Sequence, residues 1–211
     1  MKKILLIGDS IRIGYDKYTK MAFDGIADVV YPADNTRFAA YVYRQQPELH
    51  KLCGGNADVV HWNAGLWDCL IMHDGMNFTD IEVYKSYMER ACVGFKRFFP
   101  SAKFIFATST SVIESGYSQT GLRRLNSDIE AYNAAAVEIV TKHGMAVNDL
   151  YSLTKDMPLE YHSDMTHYYT KDGTRVITDQ VVAHIEKALD IKATPIDYDA
   201  LFAKKDNIIG I

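Results

Sequence analysis

Three short stretches of the chain carry side chains that could act on one another. Ser10 follows the apolar run Ile4 to Ile7 and the turn residues Gly8 and Asp9. A serine between a strand end and a helix start is exposed, and the helix N-terminus favours developing negative charge there. The same placement also suits an ordinary helix cap. His167 stands at the end of Ser163-Asp164-Met165-Thr166-His167, directly before the last helical pattern. In a tight loop, a carboxylate three residues before a histidine can reach the imidazole, fix its tautomer and stabilise its charged form. A polar surface loop would have the same composition. Asn63-Ala64-Gly65-Leu66-Trp67-Asp68 follows a third apolar run. An Asn amide beside a glycine turn can donate to an oxyanion, although Asn and Gly are common in strand-end turns of any kind. Together they would supply a hydroxyl nucleophile, a base with its orienting acid, and an oxyanion donor.

For these groups to meet, the elements before them must end at one edge of one sheet. Ile4 to Ile7 is apolar without alternation, as in a strand buried on both faces. Ala27 to Tyr31, Ala57 to Trp62, Lys103 to Ala107 and Met145 to Asn148 read as further strands. Between them lie helical patterns: one within Ile13 to Phe23, and one opening at Thr79 with Glu82 three residues on, a capping-box spacing. Another runs from Asn126 or Ser127 to His143 and Gly144, and the last starts at Thr170. Strands alternating with helices predict an α/β fold with a parallel sheet, whose sites form at the carboxyl ends of the strands.

The bulk composition narrows the partners. The chain has 211 residues, of which 48% are hydrophobic, enough for one large domain with a substantial core. A net charge of -4 with no block of like charge gives no footprint for nucleic acid or for an anionic membrane surface. The N-terminal apolar run stops after four residues, too short for a signal peptide, and no stretch reaches the length of a membrane span. Cys53, Cys69 and Cys92 are odd in number and match no zinc spacing. These features predict buried thiols and a cytoplasmic protein. His162, Asp164 and His167 lack a third-ligand spacing, so no metal is expected.

Gly8-Asp9-Ser10 near the N-terminus, the strand-end Asn/Gly block and Asp164-x-x-His167 near the C-terminus resemble the SGNH/GDSL hydrolase superfamily, in its chain order and over Ile4 to about Leu189. The resemblance implies a flavodoxin-like three-layer α/β/α sandwich on a five-stranded parallel sheet. It also implies ester hydrolysis through an acyl-serine, without a cofactor, by Ser10, Asp164 and His167. The Ser10 backbone N–H would be one oxyanion donor. Two blocks depart from the pattern. Where the family offers a glycine N–H, this chain has Asp34-Asn35-Thr36-Arg37-Phe38, with Thr36 at the glycine position. Where it has Gly-x-Asn-Asp, this chain has Gly65-Leu66-Trp67-Asp68, so Trp67 replaces the amide donor and Asn63 is expected to supply it instead.

Asp9, Arg12, Gly65, Trp67 and Tyr168 are the candidates for contact with substrate, Arg12 through a carboxylate or merely as a cap for local carbonyls. Trp62, Trp67, Tyr168 and Tyr169 flank the expected site, and aromatic faces suit sugar rings, although most such aromatics are core. With no apolar lid in evidence, the reading is a small-molecule ester with a short acyl group, an acetylated sugar first. The alternatives are a lysophospholipase, thioesterase or acyltransferase of the same superfamily, or a non-catalytic ligand-binding member. Residues 1–190 form the expected domain. The tail, 191–211, ends Ile208-Ile209-Gly210-Ile211 and either packs on the domain or reaches a partner subunit in a homo-oligomer.

Overall fold

The computed structural model describes residues 1–118 and 120–203. Five strands, β1 (Lys2–Ile7), β2 (Ala27–Val30), β3 (Val59–Trp62), β4 (Lys103–Ala107) and β5 (Ala146–Asn148), form one all-parallel sheet in the order β2-β1-β3-β4-β5. The registers pair Ile4 with Val29 and Val59, and Val60 with Phe104. β1 lies inside the sheet between β2 and β3, and Ile4, Leu5, Leu6 and Ile7 are all fully buried, as in a strand covered on both faces.

Helices α1 (Ser10–Ala22) and α6 (Lys171–Leu189) pack together on one face of the sheet. On the other face α2 (Ala39–Leu52), α3 (Ile81–Phe98) and α4 (Asn126–Lys142) pack in sequence. The result is the expected three-layer sandwich. Strand order reverses between β2-β1 and β1-β3, so the carboxyl ends of β1 and β3 border the crevice where open α/β sheets place their sites. A short helix α5 (Leu150–Thr154) follows β5, and α7 (Tyr198–Ala203) follows α6. Residues 191–203 return along α1: the Thr194 N–H bonds the Ala22 carbonyl, and Tyr198 and Phe202 lie against the Tyr18 ring. The apolar end of the tail, Ile208 to Ile211, lies outside the described residues.

Several local expectations shift. α2 carries no cue in its own sequence: Pro47 stands inside it, and Gln46 occupies a buried position of its inner face. Its first N–H, on Ala39, is capped from a distance by the Asp68 carboxylate at 3.1 Å. α3 starts at Ile81 rather than Thr79, capped by Asp80, which accepts from the Glu82 N–H at 2.8 Å. Thr79 instead donates its N–H to the Asp68 carbonyl. α4 is not capped by Asn126 or Ser127: the Asn126 amide is committed to the Val112 backbone in both directions, and the Asn126 N–H is accepted by the Glu114 carboxylate at 2.6 Å.

Candidate active site

The cap of α1 is Asp9, not Ser10. Asp9 has an extended backbone and its carboxylate accepts the Ile11 N–H at 3.0 Å. Ser10 is therefore the first helical residue, with a hydroxyl not used for capping and a backbone N–H that has no intrahelical acceptor. The His167 Nε2 lies 2.7 Å from the Ser10 Oγ, across 157 residues of chain. On the other side of the ring, His167 Nδ1 lies 2.8 Å from the Asp164 Oδ2.

The Asp164 loop explains why that carboxylate is so placed. Its Oδ1 accepts the backbone N–H groups of Thr166 (2.7 Å) and His167 (2.9 Å), an Asx-type turn that folds the loop around the side chain. Burial works against the Asp164 charge, but these hydrogen bonds and the His167 ring outweigh it and hold the carboxyl below its usual range. The acid is thus ionised at neutral pH, which makes Nδ1 the protonated nitrogen and leaves Nε2 with a lone pair facing Ser10.

Tyr169 completes this corner. Its ring stacks on the His167 imidazole with centroids 4.8 Å apart and planes 24° apart. Its hydroxyl donates to the Ser10 carbonyl at 2.5 Å. The ring rests on Gly14, one turn along α1, where an added Cβ would meet Tyr169 ring carbons at 2.7 and 2.9 Å. One aromatic side chain therefore spans the base and the nucleophile. Sequence reasoning placed both Tyr168 and Tyr169 beside the site and chose Tyr168 for contact with substrate. Tyr168 points the other way: it is buried, and its hydroxyl lies 2.8 Å from the Ser111 hydroxyl.

Asn63 directly follows β3, with its side chain over the Cα of Gly8, where any side chain would collide with Oδ1 at 1.8 Å. That contact is why the position before Asp9 must be glycine. The amide also abuts the buried Asp9 carboxyl, which burial pushes above its usual range while Asn63, the Ile11 N–H, Arg124 and His167 pull it back. Asn63 thus stands beside the first turn of α1 with one N–H turned to Asp9 and a second to give. Trp67, on the same turn, is half-buried.

Other expected site residues are corrected. The Thr36 N–H is bonded to the Gly8 carbonyl at 2.9 Å and is not free to meet an oxyanion. Arg12 is buried, its guanidinium paired with Asp16 and bonded to the Asp34 carbonyl, so it holds the β2 loop and not a substrate. Asp9 is fully buried as the cap, and Gly65 is buried against Ser109 and Tyr84. Neither presents a surface to substrate. Trp62 is core, packed between Phe95 and Phe106 with both centroid distances at 4.9 Å. Conversely, Arg124 was not anticipated: its Nε donates to the Leu66 carbonyl and its charge acts on Asp9.

Most of the chain superposes on solved hydrolases. A lipase/acylhydrolase from Enterococcus faecalis matches over 93% of this chain and 100% of its own, with TM-score 0.71 and 17% identity. A GDSL-like lipase from Bacteroides thetaiotaomicron matches over 89% of each chain, with TM-score 0.68 and 14% identity. The fold is that of the SGNH/GDSL hydrolases. An acetyl xylan esterase shares this fold with TM-score 0.66 and 18% identity over 87% of this chain and 99% of its own. No family model and no curated protein matches the sequence.

Proposed function

We propose that the protein is a serine ester hydrolase acting on short acyl esters, with acetyl esters of carbohydrates as its substrate class. The observation that carries the reading is the continuous relay from the Ser10 Oγ through both nitrogens of His167 to Asp164, at 2.7 and 2.8 Å. Similarity of fold to lipases, acylhydrolases and an acetyl xylan esterase supports the same reaction class.

In this reaction His167 Nε2 takes the Ser10 hydroxyl proton as Oγ attacks the ester carbonyl carbon. The negative charge moves to the carbonyl oxygen, where the Ser10 N–H and an Asn63 amide N–H receive it at the positive end of α1. The tetrahedral species collapses, the C–O bond to the alcohol breaks, and His167 passes its proton to the departing oxygen. Water, deprotonated by the same nitrogen, then attacks the acyl-serine and releases the acid and free Ser10. Asp164 stays ionised throughout and steadies the imidazolium.

The short acyl preference rests on where space is found. The void behind Tyr169, lined by Ile11, Gly14, Tyr15 and Ile177, is only about 10 Å³. Cavities of about 530 and 690 Å³ lie between α2 and α3 and at the opposite end of β4 and β5. The half-buried Trp67 offers an aromatic face suited to a sugar ring. Rates on p-nitrophenyl esters of rising chain length, followed by acetate release from acetylated sugars, test the reading. Activity should peak at acetate and extend to acetylated sugars. A rate that climbs through eight or more carbons would assign a lipid or thioester hydrolase instead.

A further inference from the structure

Arg124 sits in the loop just before α4, half-buried. The loop is pinned by its neighbour: Ile71 and Arg123 exchange backbone hydrogen bonds as an antiparallel bridge. The Arg124 Nε then donates to the Leu66 carbonyl at 2.5 Å, in the turn that carries Asn63 and Trp67. Its guanidinium therefore stands against the turn after β3 that carries Asn63, close enough to the Asp9 carboxyl for its charge to act there, as that of His167 does.

Among the described residues no carboxylate lies within ion-pair distance of Arg124. Asp128, four residues on, is turned to the Asn77 amide at 3.3 Å. Asp9 is fully buried as the helix cap. The other arginines around the site are committed: Arg12 to Asp16, and Arg37 to Asp34 at 3.6 Å with its guanidinium over the Tyr41 ring. A guanidinium removed from much of its water and lacking a counter-ion is costly, and its fork matches a planar carboxylate. With Nε held by Leu66, the terminal nitrogens remain for a ligand.

We propose that Arg124 binds a carboxylate on the alcohol portion of the substrate, so that the favoured substrate is an acetyl ester of an acidic molecule such as a uronate-type sugar. This rests on the ester-hydrolase reading, whose short acyl group leaves the alcohol as the part able to carry the charge. The chain's net charge of -4 gives no general attraction for an anion, so recognition must be local.

The test compares 4-acetoxybenzoate with 4-acetoxybenzamide, which share a shape and differ in the charge carried by the alcohol. The wild type should prefer the anionic ester by about 10- to 100-fold in kcat/KM, mostly through KM, the scale of one charge-assisted contact. The preference should shrink with added salt. Arg124→Gln keeps a donor for the Leu66 carbonyl and should erase the preference, while Arg124→Lys should retain part of it. Calorimetry of 4-acetoxybenzoate binding to Ser10→Ala protein, with and without Arg124→Gln, gives a readout that needs no turnover, and Arg124→Gln should weaken that binding by a similar factor. Anion binding that depends on Arg124 without hydrolysis by wild type would overturn the esterase reading and leave the anion site standing. Hydrolysis with the same ester preference in wild type and Arg124→Gln would overturn the role of Arg124 and leave the esterase standing.

Discussion

Gly14→Ala tests whether Tyr169 positions the base. A Cβ at Gly14 would lie 2.7 and 2.9 Å from Tyr169 Cε1 and Cδ1. Carbon atoms settle at about 3.5–4.0 Å, so the ring must retreat by roughly 0.8 Å or more. It cannot do so alone. Its hydroxyl is tied to the Ser10 carbonyl, its backbone N–H to the Ser163 hydroxyl at 3.2 Å, and its face to the His167 ring. Displacement therefore reaches the 2.7 Å contact between His167 and Ser10. A misplacement near 1 Å in a reacting constellation can cost about 100-fold, so kcat should fall by about 10- to 100-fold with KM little changed. Stability should fall by no more than about 2 kcal/mol, because the helix propensity gained on replacing glycine, about 1 kcal/mol, offsets part of an overpacking cost of about 1–3 kcal/mol. The assay is steady-state hydrolysis of p-nitrophenyl acetate by wild type, Gly14→Ala, Tyr169→Leu and the double variant, each checked by thermal melting. Tyr169→Leu gives the new methyl room, so Gly14→Ala should cost almost nothing in that background. A wild-type kcat in Gly14→Ala, or strictly additive losses in the double variant, would refute the reasoning.

Asn63→Ala should lower kcat by about 10²–10³ with KM nearly unchanged, and Trp67→Phe should be mild; the reverse result would make the Trp67 indole the oxyanion donor. Burial pushes the Asp68 carboxyl up to about 7, against the Ala39 N–H and Thr79 bonds that favour its charge. The folded state therefore keeps a proton that the unfolded chain releases near pH 4, and stability is lost as pH rises from about 4 to 7. Asp68→Asn removes this slope, so its denaturation midpoint relative to wild type should be higher at pH 8 than at pH 5. Tyr198→Ala uncovers the buried Tyr18 ring and should cost about 2–4 kcal/mol in urea unfolding, with kcat on p-nitrophenyl acetate unchanged.

Local pattern carried much of this architecture. The unbroken apolar run of β1, the turn at Gly8 and Asp9, and the Asp164-x-x-His167 spacing all act over a few residues, so their consequences could be read from neighbouring letters. Features set by distant contacts could not. α2 is capped by Asp68, twenty-nine residues downstream, while its own sequence offers Gln46 and Pro47. The loss of the Thr36 N–H to the Gly8 carbonyl is a backbone pairing with no side-chain signature. Arg12 was ambiguous because an arginine next to a nucleophile looks the same whether it faces substrate or Asp16. Tyr168 and Tyr169 are adjacent in a loop without periodicity, so nothing local says that Tyr169 faces His167 while Tyr168 turns to Ser111. The requirement for glycine at position 14 could have served as a signal, since an interior helix glycine often marks a close approach.

The central claim is that Ser10 is a nucleophile activated by His167. Reaction with a fluorophosphonate, followed by peptide mass spectrometry, measures it most directly. One adduct per chain should form on the peptide bearing Ser10, none on Ser10→Ala, and His167→Ala should label about 10³-fold more slowly. An adduct on another residue, equal labelling of Ser10→Ala, or no labelling of the folded wild-type protein would contradict the account.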